Sequence, residues 1–189
     1  MLLLAALFAC AHPVAPVAAP TAPSATPAPA SEEDHLPYLF TPDQLRDSLV
    51  EGTVIRMRIE TAGQPTVVEQ WTFSHHSAES VNIHTLTLDE AGKQLSDDGD
   101  APAAWEELQK HGTFPAARST LTRAPWDGPR GHTDAVIIAV ADADDSGHPL
   151  TKTYVFSAAE PGPPLSFTIQ AEGMQVFAMT QLSREVPAQ

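Results

Sequence analysis

The chain has 189 residues, with 24 Asp and Glu against 10 Lys and Arg, a formal charge of −14 at neutral pH, 18 prolines and one cysteine. A balance this acidic argues against nucleic acid or anionic lipid headgroups as direct partners, because both would be repelled. A lone cysteine excludes a disulfide-stapled secreted scaffold, and the longest pure apolar run of the main body, residues 135–141, is too short to span a bilayer.

The chain opens with an apolar stretch, Leu2 to Leu7, closed by Leu7-Phe8-Ala9-Cys10. This run resembles a bacterial lipobox. The resemblance implies that residues 1–9 are a signal peptide, that the Cys10 thiol receives a diacylglyceryl group, and that the new amine is acylated after cleavage. Acyl burial contributes about 0.8 kcal/mol per CH₂, so two or more chains hold a protein stably on a membrane. Two departures stand out. Phe8 is uncommon in such a motif, and no Lys or Arg precedes Cys10, where secretory signals normally carry a positive segment. In enterobacterial lipoproteins an Asp after the cysteine favours inner-membrane retention. Ala11 stands there, which by the same resemblance implies the outer membrane, with the rest of the chain in the periplasm or at the cell surface.

Residues 10–34 read as the lipidated cysteine and a tether. Pro13, Pro16, Pro20, Pro23, Pro27 and Pro29 alternate with Ala, Val, Ser and Thr. Proline lacks the N–H and fixes φ, so neither a ladder nor an amphipathic helix is expected. Extended polyproline at about 3.1 Å per residue would reach roughly 70 Å. Residues 35–189 then form one domain. All ten Lys and Arg and 21 of the 24 acids lie in that part, leaving it at −11.

Within it, Thr41-Pro42-Asp43-Gln44 starts a helix: Thr41 caps, Pro42 suits the first turn and Gln44 completes a capping box. Leu45 and Leu49 share a face and Gly52 ends the helix. Strands are expected over 53–61, 66–74 and 80–89, with turns at Gly63-Gln64-Pro65, 75–79 and 89–92. A second helix fits 101–111, capped by Asp100, with Pro102 in its first turn and Trp105 and Leu108 on one face. Further strands fit 117–124, 133–141, 151–158, 165–171 and 174–184. A Glu172-Gly173 turn pairs Ala171 with Met174, Ile169 with Val176 and Phe167 with Ala178, all on one apolar face. The expected class is α+β, mainly antiparallel: a curved meander or half-barrel with two short helices. In architecture alone this is similar to the half-barrels of periplasmic lipoprotein carriers of the LolA and LolB group.

Candidate sites are sparse. Glu69 falls on the same face as Val67, Trp71 and Phe73. If the 75–79 turn sets the register, Trp71 opposes His84 and Glu69 lies diagonal to it, giving an acid–base pair or ligand anchor on an apolar face. Trp71, Phe73 and Phe167 are the expected lining of an apolar ligand site. The loop from Asp142 to Gly147 resembles half a calcium loop, with Asp142, Asp144 and Ser146 as oxygen ligands, but Thr153 stands where a bidentate acid belongs. His75, His76 and His84 around one hairpin suggest zinc or copper. Asp97, Asp98 and Asp100 read as a solvated loop and a helix cap. No Gly-x-Ser-x-Gly, His-Glu-x-x-His or phosphate-cradling loop occurs. The expectation is an envelope lipoprotein whose β domain binds an apolar ligand or an envelope protein. The alternatives are an accessory subunit of an envelope complex, binding through a strand edge or the helix around Trp105, and a calcium-dependent module or an enzyme using Glu69 and His84.

Overall fold

The computed structural model describes residues 35–188. Cys10, the lipobox and the proline-rich tether lie outside the described residues.

Helix α1 (Pro42–Ser48) starts as its sequence demands: Gln44 N donates to Thr41 Oγ1 (3.2 Å) and Thr41 N donates to Gln44 Oε1 (2.9 Å). This capping box satisfies two of the N–H groups that a helix start leaves unpaired. Strands β1 (Val54–Thr61), β2 (Val67–Ser74), β3 (Ser80–Leu88) and β4 (Gln94–Ala104) follow. Next come α2 (Trp105–Lys110), a short 3₁₀ turn (Ala116–Arg118), then β5 (Ser119–Gly128), β6 (Gly131–Ala143), β7 (Pro149–Ser157), β8 (Ser166–Ala171) and β9 (Met174–Glu185). All nine strands form one antiparallel sheet in the order β4-β3-β2-β1-β9-β8-β7-β6-β5. The chain thus builds two meanders and joins them where β9 pairs with β1. The sheet stays open, with β4 and β5 as its edges.

The helices cover one end of one sheet face. Leu45 and Leu49 pack with Ile55, Met57, Phe73, Val81 and Trp105. Trp105 is buried and donates its Nε1–H to Ser77 O (3.1 Å), so the indole loses no hydrogen bond on burial. A second cluster, Phe114, Val136, Ile138, Val140 and Phe156, is covered by Leu36, Leu39 and Phe40. Phe40 touches both clusters. A third, Ala135, Val155 and Leu165 with Trp126, lies on the opposite side of β6 and β7 by strand alternation.

Three expectations are corrected. The second helix is shorter and starts later: residues 94–104 are an edge strand, and Asp100 caps nothing. Trp105 N donates to Glu79 O (3.0 Å), and alternation from that bond makes Asn82–Pro102 a non-bonded pair. The missing N–H of Pro102 therefore faces away from β3, where a strand tolerates it, and the open ladder of β3 outweighs the helix-start signal. Second, β2 and β3 pair Thr72 with His84 and Trp71 with Thr85. The connection contains a tight turn in which Ser77 N donates to Ser80 O (2.9 Å), and His75 is left-handed at φ 51°. One residue of difference sends His84 to the other face. Third, the β8–β9 hairpin begins as expected, with Glu172 and Gly173 both left-handed and Ala171 opposite Met174. A bulge between Ile169 and Gln170 then pairs Ile169 with Phe177 and Phe167 with Met179.

Candidate functional site

Registers across six strand pairs line up one apolar row on the helix-side face: Val67, Ile59, Met179, Phe167, Tyr154, Ile138 and Leu121. Ile59 and Ile138 are buried, Val67, Met179, Phe167 and Tyr154 are half-buried, and Leu121 is exposed at the β5 edge. Tyr154 stacks on Phe167 (centroids 4.4 Å, 12° between planes) and Phe167 meets Phe177 at 5.4 Å. Burial pushes the Tyr154 hydroxyl up to about 12, with nearby Asp142 adding to the shift. The helices lie over Ile55, Met57, Phe73 and Val81, while the row beyond them stays half-open.

Of the expected lining, Phe167 sits in this row. Trp71 is half-buried on the same face. Phe73 instead fills the core under α1. Glu69, 5% exposed, stands opposite Met57 and accepts a hydrogen bond from Trp71 Nε1 (3.1 Å). A buried carboxyl with so few partners is costly; Gln181, on the other side of Met57, and Lys152, two residues from Tyr154 in β7, are further polar groups on this face. The Glu69–His84 pair is not made. His84 Nε2 lies 2.8 Å from Asp97 Oδ1 and its Nδ1 3.5 Å from Asp100 Oδ1, on the other face. That contact, with the Gly99 amide, holds the Asp97 carboxyl below its ordinary value.

The metal candidates separate in space. Asp142 lies in β6, with one oxygen on Arg118 (3.0 Å) and the other on Lys152 (2.6 Å), so calcium there would have to displace two cations. Asp144 closes the β6–β7 loop by accepting from the Ser146 and His148 amides (2.8 and 2.9 Å). His75 bonds Ser74 Oγ (3.1 Å), and His76 packs edge-on against Trp105 at 5.5 Å. Among the described residues no group of three His, Cys, Asp or Glu is arranged to hold a metal ion.

A cleft of about 110 Å³ opens by the β5–β6 hairpin, lined by Trp126, Arg130, His132, Thr133, Ser157, Glu160 and Leu165. Arg130 pairs with Glu160 (2.6 Å) and donates to Gln181 Oε1 (3.2 Å). His132 contacts Asp127 (2.8 Å), and alternation along β6 points its side chain to the face opposite that of Ser157, so these two do not form a nucleophile–base pair.

Sequence reasoning missed Tyr154, Phe177 and Met179. The bulge hid the last two. Tyr154 was legible in the Thr153-Tyr154-Val155-Phe156 strand, but no local signal says that it lies beside Phe167. No protein-family model matches the chain, and a search of curated proteins returns no significant match.

Proposed function

We propose that this chain is an envelope lipoprotein, anchored through Cys10 at the outer membrane, whose β domain binds an apolar ligand on the half-open face. One observation carries the binding part: the aromatic and aliphatic row from Val67 to Tyr154 continues beyond the region that the helices cover. Contiguous, partly exposed apolar surface of this kind is a common feature of ligand and partner sites. Glu69 and the domain charge of −11 favour a neutral or cationic amphiphile over an anionic one.

The test is a titration of the full chain with dodecanol, dodecylamine and dodecanoate, read by tryptophan fluorescence. Dodecanol and dodecylamine are expected to saturate the signal and dodecanoate to bind more weakly. Phe167→Ser should abolish binding while leaving the far-ultraviolet spectrum unchanged, and Glu69→Gln should remove the preference for the amine. Equal weak partitioning of all three into wild type and Phe167→Ser defeats the proposal.

A further inference from the structure

The two sheet edges differ. β4 carries two register shifts, three Asp residues and Pro102. Bulges, charges and prolines of this kind discourage strand addition. β5 pairs with β6 in unbroken register from Ser119 to Gly128, and Thr120, Leu121, Thr122 and Arg123 are all exposed.

Hydrogen-bond parity shows which groups this edge presents. Asp144 N donates to His148 O and Ala158 N donates to Asp134 O (both 2.9 Å), at opposite ends of an unshifted β6–β7 ladder. Even-numbered residues of β6 therefore bond β7, and odd-numbered ones bond β5. Ala135, Ile137 and Ala139 face Ala124, Thr122 and Thr120. The main-chain groups of Ser119, Leu121 and Arg123 then point away from the sheet. Pro125 falls at the next outward position, where its missing N–H ends the run.

Charge at this edge runs against the rest of the domain. Arg118, Arg123 and Lys152 lie around the start of β5, against Asp142 alone among their ion-pair partners. Arg123 has no ion pair among the described residues, so the group is net positive within a domain at −11. Two copies of β5 paired antiparallel about Leu121 would set Arg123 of one opposite Ser119 of the other, next in sequence to Arg118, and this crowding of cations disfavours self-pairing.

We propose that the β5 edge from Ser119 to Arg123 accepts an extended acidic peptide as a tenth strand. The Leu121 and Arg123 amides donate to its backbone, and its carboxylates meet Arg123 and the Arg118–Lys152 pair. Main-chain bonds supply affinity in this mode, and flanking charge selects the partner. This surface meets the apolar face at Leu121, but it binds through main-chain groups and cations rather than through Phe167 and Tyr154, so Arg123→Glu and Phe167→Ser test the two proposals apart.

The probe is a capped nine-residue peptide of alternating Glu and Val, titrated into the full chain, with its Lys-for-Glu counterpart as control. Leu121→Pro removes an outward donor and no bond to β6, so the fold is retained, as it is at Pro125. Leu121→Pro and Arg123→Glu are each expected to weaken binding at least about tenfold, close to one backbone bond or one charge pair. In hydrogen exchange the Thr120 and Thr122 amides should be slow throughout, and those of Leu121 and Arg123 should slow only with the Glu peptide. If Leu121→Pro does not fold, Arg123→Glu and the exchange pattern decide. No binding, equal binding of the Lys peptide, or binding without protection of Leu121 and Arg123 overturns the proposal.

Discussion

Replacing Arg184 with Met should cost the fold about 3 kcal/mol. Arg184 extends from β9, donates Nη1–H to Pro161 O (3.2 Å), and donates Nη2–H to both the backbone carbonyl and the Oγ (2.8 Å) of Ser48. Ser48 is the last residue of α1, so its carbonyl has no partner within the helix and lies at the negative end of the helix dipole. One guanidinium thus ties α1, the loop before β8 and the β1–β9 seam together. Burial holds its pKa below the usual arginine value, partly offset by Glu160. Removing it leaves two carbonyls unpaired, at roughly 1–3 kcal/mol each. For a domain of this size that total lowers the melting temperature by about 6–12 °C. Urea unfolding followed by far-ultraviolet circular dichroism measures it, with Arg184→Lys expected to fall between Met and wild type because it keeps the charge and loses the fork. A loss below about 0.5 kcal/mol in Arg184→Met, within the range of ordinary surface substitutions, would refute the reasoning.

Acid should destabilise the domain through Asp142. Its hydrogen bond to Lys152, the Ala143 amide and Arg118 hold its carboxyl below the ordinary value despite some burial. The unfolded chain then binds the proton more readily, so this stability is full above about pH 4 and lost as pH falls through the folded value. Asp142→Asn should therefore be less stable at neutral pH and show a flatter acid limb in thermal melts. At the alkaline end, Tyr154 ionises at about 12. Stability should fall as pH rises from the unfolded tyrosine value of about 10 toward 12, and the late phase of the phenolate absorbance titration should vanish in Tyr154→Phe. Gly128→Ala should destabilise by about 1–3 kcal/mol, because a Cβ there would run into the Trp126 indole; denaturant melts and the near-ultraviolet spectrum of Trp126 report it.

Local signals carried the parts of the fold that short-range chemistry decides. Thr41, Pro42 and Gln44 specify α1 because capping needs only neighbouring atoms. Glu172-Gly173 specifies its hairpin because both residues tolerate left-handed φ. What failed depended on distant partners. Residues 94–104 contain Asp97, Asp98, Gly99, Asp100 and Pro102, poor strand formers, and they extend only because β3 offers an open ladder. Pro125 and Trp126 extend β5 past its expected end for the same reason, with β6 as partner. The Glu69–His84 pair failed on a single residue of register, which strand periodicity turns into a change of face. Half of the candidate face was legible, since Val67, Trp71 and Phe167 alternate cleanly. Two of its other members, Met179 and Phe177, depend on a bulge that no residue in that hairpin announces.

The most direct test of the account is the intact mass of the protein extracted from the membrane fraction in mild detergent, wild type beside Cys10→Ala. Wild type is expected to show a mass for cleavage before Cys10 plus acyl groups, with a noncovalent amphiphile released on denaturation, and Cys10→Ala an unprocessed chain without acyl groups. A full-length, unacylated wild-type chain recovered in the aqueous fraction would contradict it.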